Sequence, residues 1–327
     1  MSTVTATLDH PVPTAATGAP RRRHVALRPD RPVAGRLLVP LAVADLVANV
    51  LIVVTGGAVR LTASGLGCPT WPRCTEESYV AHGELGLHGA IEFGNRLLTF
   101  VLAAVAVATL VAAWRAVGRP GRGDRRVTLL ALAVFLGIPA QGVLGGVTVL
   151  TDLNPWVVSL HFMLSMVLIV LCTWLLDAVR GRPRAAAGRA SARLALGAFA
   201  LGWVALYLGT VVTGSGPHSG DLESRRTGLD PQLLSHVHAW SVYVLVATTV
   251  ALLVVARRRG EVALASAAGA LLVLELAQGA VGFVQYFTGL PEVLVGVHML
   301  GAALLASGTA WVLLRTRARG TAPAATA

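Results

Sequence analysis

The chain has 327 residues, of which 55% are hydrophobic and 13% charged, with a formal charge of +11 and a mean hydropathy of +0.69. A soluble domain of this length needs far more polar surface, so that class is excluded. The positive charge comes from arginine alone, with no lysine. It follows the connections between apolar stretches and forms no single basic face of the kind a nucleic-acid binder carries.

In chain order, residues 1–36 hold proline, alanine and arginine around no apolar core. They read as a disordered cytoplasmic tail, not a signal peptide. Eight apolar stretches follow, near 37–59, 88–114, 127–150, 156–178, 192–213, 231–256, 261–284 and 292–314. Each has about the 20 residues that a bilayer crossing takes. The predicted fold class is an all-α integral membrane protein with eight transmembrane helices. A four-helix half at 37–179, a cytoplasmic linker at 180–191 and a second four-helix half at 192–314 precede a tail at 315–327. Four crossings return the chain to its starting side, so the pseudo-symmetric halves share one orientation about an axis along the membrane normal. Arginines cluster in the N-terminal tail, at 115–126, at 180–193, at 257–259 and at 315–319. The alternate connections carry Glu76, Glu77, Glu84, Asp152, Asp221, Glu223, Asp230 and Glu292. The positive-inside rule therefore puts both termini in the cytoplasm.

The halves also repeat in detail. Gln141-Gly142-Val143-Leu144-Gly145 leads to His161, and Gln278-Gly279-Ala280-Val281-Gly282 leads to His298, each over 20 residues. Thr151 and Leu153 recur as Thr288 and Leu290, and Val54-Thr55-Gly56 as Val212-Thr213-Gly214. His161, His238 and His298 each start five to seven residues inside an apolar stretch. Two of them therefore lie roughly 8–9 Å below the external edge, and the third close to that level. Three buried imidazoles at one depth are a haem-ligand pattern, with His238 and His298 as a facing pair. His236 points about 200° away from His238 on the same helix, so the two cannot share one iron. Glu92, Asn95 and Arg96 share a helical face, with His88 one turn earlier. A carboxylate at that depth is costly and usually functional. Cys68 and Cys74, six residues apart in the first external loop, are placed for a disulfide on an oxidising face. Cys172 reads as a small buried apolar residue. Glu275 and His218 receive no role from the pattern.

These residues together resemble the haem A synthase family. The matching segments are Thr55–Cys68, Glu92-Phe93-Gly94-Asn95-Arg96, Gln141-Gly142-x-x-Gly145-Gly146, Thr213-Gly214-Ser215-Gly216-Pro217-His218 and the late His298. The resemblance spans about 40–314. It implies a water-dependent oxidation of the C8 methyl group of haem O to the formyl group of haem A, for cytochrome oxidase assembly. It implies a haem b ligated by His238 and His298, a substrate haem at His161, and Glu92 as the catalytic carboxylate. Asn95 and Arg96 belong to the cofactor-binding set, and Cys68 and Cys74 to the first-loop cysteine pair. Asn95 stands where the family often has histidine, so His161 is expected to hold the substrate iron from one side, or with His88. Arg60, Arg96, Arg225 and Arg226 are candidates for the haem propionates. The implied partners are haem O synthase (the protohaem farnesyltransferase), cytochrome c oxidase assembly factors, membrane lipid and a homo-oligomer, with no nucleic acid. The implied location is the plasma membrane. The rival functions are a non-catalytic di-haem electron carrier and a haem-handling transporter.

The topology is directly checkable. Reporter fusions after Arg122, Arg184 and Arg258 should be cytoplasmic, and fusions near Glu77 and Arg225 external. A reversed pattern would put the cysteine pair in a reducing compartment and remove the disulfide argument.

Overall fold

Hydrocarbon offers no hydrogen-bond partner to a backbone amide, so an apolar stretch that crosses it folds as a continuous helix. The computed structural model describes residues 33–117, 125–182, 184–218, 220–221 and 223–318. Among those residues it has eight long helices and no β-strand. They are α1 (Val33–Leu61), α2 (Gly86–Val117), α3 (Arg125–Leu150), α4 (Pro155–Arg180), α5 (Arg189–Ser215), α6 (Pro231–Arg258), α7 (Val262–Phe287) and α8 (Glu292–Arg315). All eight are long and apolar enough to cross a membrane, which makes this a multi-pass membrane protein. The expected spans lie inside these helices, save for Glu261, which caps α7. Most helices run further because their hydrogen bonding continues past the apolar core into polar residues, as at Arg189 and Ser191 of α5. Of the tails expected at 1–36 and 315–327, only 33–36 and 315–318 are described. Residues 33–36 form the first turn of α1. The remainder, with Arg119 and Arg122, lies outside the described residues.

Helix starts follow local chemistry. Asn154 accepts the Trp156 amide with Pro155 in the first turn, and Asp230 accepts the Gln232 and Leu233 amides with Pro231 in the first turn. The turns out of α3 and α7 are built alike. Leu153 (φ 54°) returns its amide to Thr148, and Leu290 (φ 60°) returns its amide to Gln285. A left-handed leucine costs about 1 kcal/mol. At Leu153 burial offsets that cost, since its side chain fills the space beside Gly65 and Gly220.

Helices α1 to α4 close a ring, each packed on the next and α4 on α1; α5 to α8 close a second ring in the same way. The rings meet along α4 and α8, flanked by α1 against α8 and α4 against α5. Hydroxyl pairs fasten the seam: Ser159 with Thr210 at 2.5 Å and Thr173 with Ser307 at 2.8 Å. Each satisfies polar groups that lipid could not. Near the linker, Arg184 grips Asp177 with two parallel bonds of 2.6 and 3.0 Å, both side chains largely buried. The Arg184 Nε also donates to the Arg317 carbonyl, tying the linker to the end of α8.

Asp177→Ala leaves the Arg184 charge without its carboxylate and should cost about 3 kcal/mol. Arg184→Lys keeps the charge but loses the fork and should cost less. Thermal unfolding in detergent checks both, and unchanged midpoints for the pair would contradict this role.

Candidate functional site

An imidazole fits between two packed helices only where the facing helix leaves room. Glycine leaves that room three times. A side chain at Gly145 of α3 would begin 3.2 Å from His161 Cε1, and one at Gly209 of α5 would begin 3.3 Å from His238 Cε1. At Gly282 of α7 the distance to His298 Cε1 is 3.6 Å. Each ring is half-buried, and each Nδ1 is sealed with no hydrogen-bond partner in good geometry among the described residues. The Ala205 backbone also acts on the His238 ring.

His238 and His298 face each other with ring centroids 6.4 Å apart and planes at 80°. Two metal–imidazole bonds of about 2 Å plus the ring radii give a separation of about 6 Å, so one iron fits between them. Among the described residues no three histidine, cysteine or carboxylate side chains are grouped to hold a bare metal ion. A facing pair without further protein ligands suits an iron whose remaining positions a macrocycle fills. His236 is exposed and its ring lies against Tyr286, 6.2 Å between centroids, away from this pair.

The first ring differs. Gln141 Nε2 donates to the His161 carbonyl at 3.0 Å and to the Ser165 hydroxyl at 2.5 Å, clamping the histidine helix one turn from Gly145. In the second ring Gln278 packs onto Gly301 of α8. The repeated motif is therefore a brace and a seat on one helical face, four residues apart. The sequence carried that signal, although the pattern reading assigned the motif no mechanical role. Asn95 Oδ1 accepts from the Thr55 hydroxyl at 2.8 Å. His88 is exposed and bonds Ser64 through Nδ1 at 2.9 Å.

Glu92 is buried and its carboxylate is fully engaged. Oε2 accepts the Cys68 amide at 2.7 Å, and Oε1 accepts Arg96 Nη2 at 2.6 Å and Nε at 3.2 Å. Arg96 also donates to the carbonyls of Cys68, Thr70 and Arg73. Cys68 and Cys74 form a disulfide, and both are fully buried. The pair Glu92–Arg96 thus holds the cysteine loop onto α2. Arg60 donates to the carbonyls of His218 and Thr213 and ties α1 to the end of α5. Arg226 donates to the Pro217 carbonyl and Ser224, and Arg225 is exposed. Cys172 is free and buried, with Asn49 Nδ2 3.6 Å from its sulfur. Glu275 accepts from Thr249 at 2.9 Å, deep between α6 and α7. Asp45 in α1 is a buried carboxyl that the pattern reading passed over, because it recurs in no repeat.

The family model described as cytochrome oxidase assembly protein (COX15-CtaA) matches residues 40–85 and 87–217, more than half of the chain. The chain belongs to this family. A heme A synthase of Lysinibacillus sphaericus is 33% identical over 133 residues, 40% of this chain and 41% of that one. One of Geobacillus thermodenitrificans is 35% identical over 143 residues, 42% and 43% of the two chains. These two matches span about two fifths of the relatives' length. A heme A synthase of Rhizorhabdus wittichii is 26% identical over 313 residues, 80% of this chain and 88% of its own. The family match covers the first ring from residue 40 onward, save residue 86, and the α5 seat Gly209.

The seats predict a contrast between two glycines. Gly209→Val should push the His238 ring aside and remove the low-spin absorption of the purified pigment. Gly282→Ala, where an added methyl meets only ordinary contact, should keep it. Equal behaviour of the two variants would contradict the seating.

Proposed function

We propose that this chain oxidises the C8 methyl group of haem O to the formyl group of haem A, in the plasma membrane with both termini cytoplasmic. The observation that supports this best is the difference between the rings: two facing imidazoles in the second, one in the first. An iron with both axial positions filled by protein has no room for a reacting group, whereas one held from a single side can be exchanged. A b-type haem between His238 and His298 would supply one-electron transfer. His161 would hold the substrate haem, with Asn95 on the other side too weak a ligand to retain it.

Methyl to formyl is a four-electron oxidation. With water as the oxygen source it releases four protons as well, and the four electrons would pass one at a time through the haem held by His238 and His298 to an external one-electron acceptor. Glu92 is the acceptor we assign for those protons, and Arg96 steadies it while staying bound to the loop carbonyls. The substrate is apolar enough to arrive through lipid, so haem O synthase is the supplying partner and cytochrome c oxidase assembly factors take the product. The engaged state of Glu92 also favours a second reading, in which it anchors the cysteine loop and takes no proton.

One experiment separates the readings. In cells that also make haem O, Glu92→Gln keeps an oxygen for the Cys68 amide but cannot serve as a carboxylate base. It should stop haem A formation while leaving the low-spin spectrum, and so should His161→Ala. His238→Ala and His298→Ala should remove that spectrum. Full haem A production in Glu92→Gln would leave Glu92 an anchor, and no haem A from the wild type would favour the electron carrier or transporter.

A further inference from the structure

The two rings are closed at their outer ends by different means. In the first, the residue after the seat Gly145 is Gly146, and the place where its side chain would project is filled by the indole of Trp71. Trp71 comes from the first external loop. Arg96 holds the carbonyls on either side of it, Thr70 and Arg73, against α2. Trp71 therefore reaches from α2 to α3. One turn deeper on the same flank of α3, an added carbon at Gly142 meets nothing within 4 Å, and the same is true at Gly94 of α2. Beneath the indole α3 thus presents no side chain at Gly142. In the second ring the residue after the seat Gly282 is Phe283, half-exposed and carried by α7 itself. The neighbouring contact there, His236 with Tyr286, is also made between helix residues.

We infer that Trp71 is the removable wall of the first-ring pocket, a loop-borne indole that a planar macrocycle must displace to pass between α2 and α3. This rests on the reading of the first ring as the substrate site. Arg96 and the disulfide keep the loop on α2, so the indole leaves Gly146 by turning about its own side-chain bonds, with the backbone in place. The indole touches the backbone of Gly146, so only glycine at that position lets it close. The second ring has Phe283 of α7 at the matching place and no loop residue there, and keeps its occupant. The first, closed by Trp71, exchanges it. Trp71 is a positioning residue and takes no part in bond making.

The test follows haem release, not turnover. Purified protein in lipid nanodiscs is loaded with ferric protohaem, and transfer to excess apomyoglobin is timed. Trp71→Ala should speed release from the first ring by about tenfold or more, with the low-spin spectrum of the second ring unchanged. The double variant Trp71→Ala with Gly146→Phe returns an aromatic ring to the same place on the helix. It should slow both loading and release below the wild-type rates. The inference is overturned if Trp71→Ala releases haem at the wild-type rate, if it loosens both rings equally, or if the double variant behaves like Trp71→Ala. If the wild type takes up only the second-ring haem, the reading of the first ring as a substrate site falls and Trp71 falls with it.

Discussion

The arrangement depends on one steric constraint: the helix opposite each imidazole must leave room for the ring. Gly145, Gly209 and Gly282 meet that constraint for His161, His238 and His298. A buried nitrogen without a partner is expensive in a medium that supplies none. Three such nitrogens at matched positions are therefore a cost that helix packing alone gives no reason to bear. Under the proposed function iron ligation would give the reason, since the opposite ring nitrogen would then carry a bond to the metal.

From shared seats the two rings diverge through their second helices. In the second ring α6 supplies His238, opposite His298 with ring centroids 6.4 Å apart. In the first ring α2 supplies Glu92 and Arg96, which face outward to the loop and bind the Cys68 amide and three loop carbonyls. The carboxylate, the disulfide loop and the indole on Gly146 thus form one connected structure over the outer end of α2 and α3. The second external loop leans on the same region. Arg60 holds the His218 carbonyl, the Gly65 amide bonds the Gly220 carbonyl, and Leu153 packs against both glycines. Both loops therefore converge beside the first ring. That convergence couples the two halves at the loop end, as the hydroxyl pairs Ser159–Thr210 and Thr173–Ser307 couple them within the seam.

Hydropathy made the eight spans legible, because the length of an apolar run is a local property. The duplication was legible too, since Gln141 and Gln278 sit at one spacing from their histidines. Helical geometry separates His236 from His238 and the nearness of His236 to the interface favours His238; in the structure His236 lies against Tyr286 and His238 against His298. What the chain did not disclose are contacts between distant segments. Arg60 and Arg96 looked available for propionates, yet both spend their donors on backbone carbonyls up to 158 residues away. Trp71 carried no periodic signal, because its partner Gly146 has no side chain to be noticed. Asp45 escaped notice for the opposite reason: a single acid in an apolar run belongs to no pattern until burial shows where it sits.

The central claim is that one seating plan makes two unlike haem sites. Titration of the purified protein with ferric protohaem, followed by electron paramagnetic resonance, tests it most directly. The account predicts two equivalents bound, one low-spin signal that disappears in His298→Ala and one high-spin signal that disappears in His161→Ala. A single equivalent, or the loss of both signals in His298→Ala alone, would contradict it.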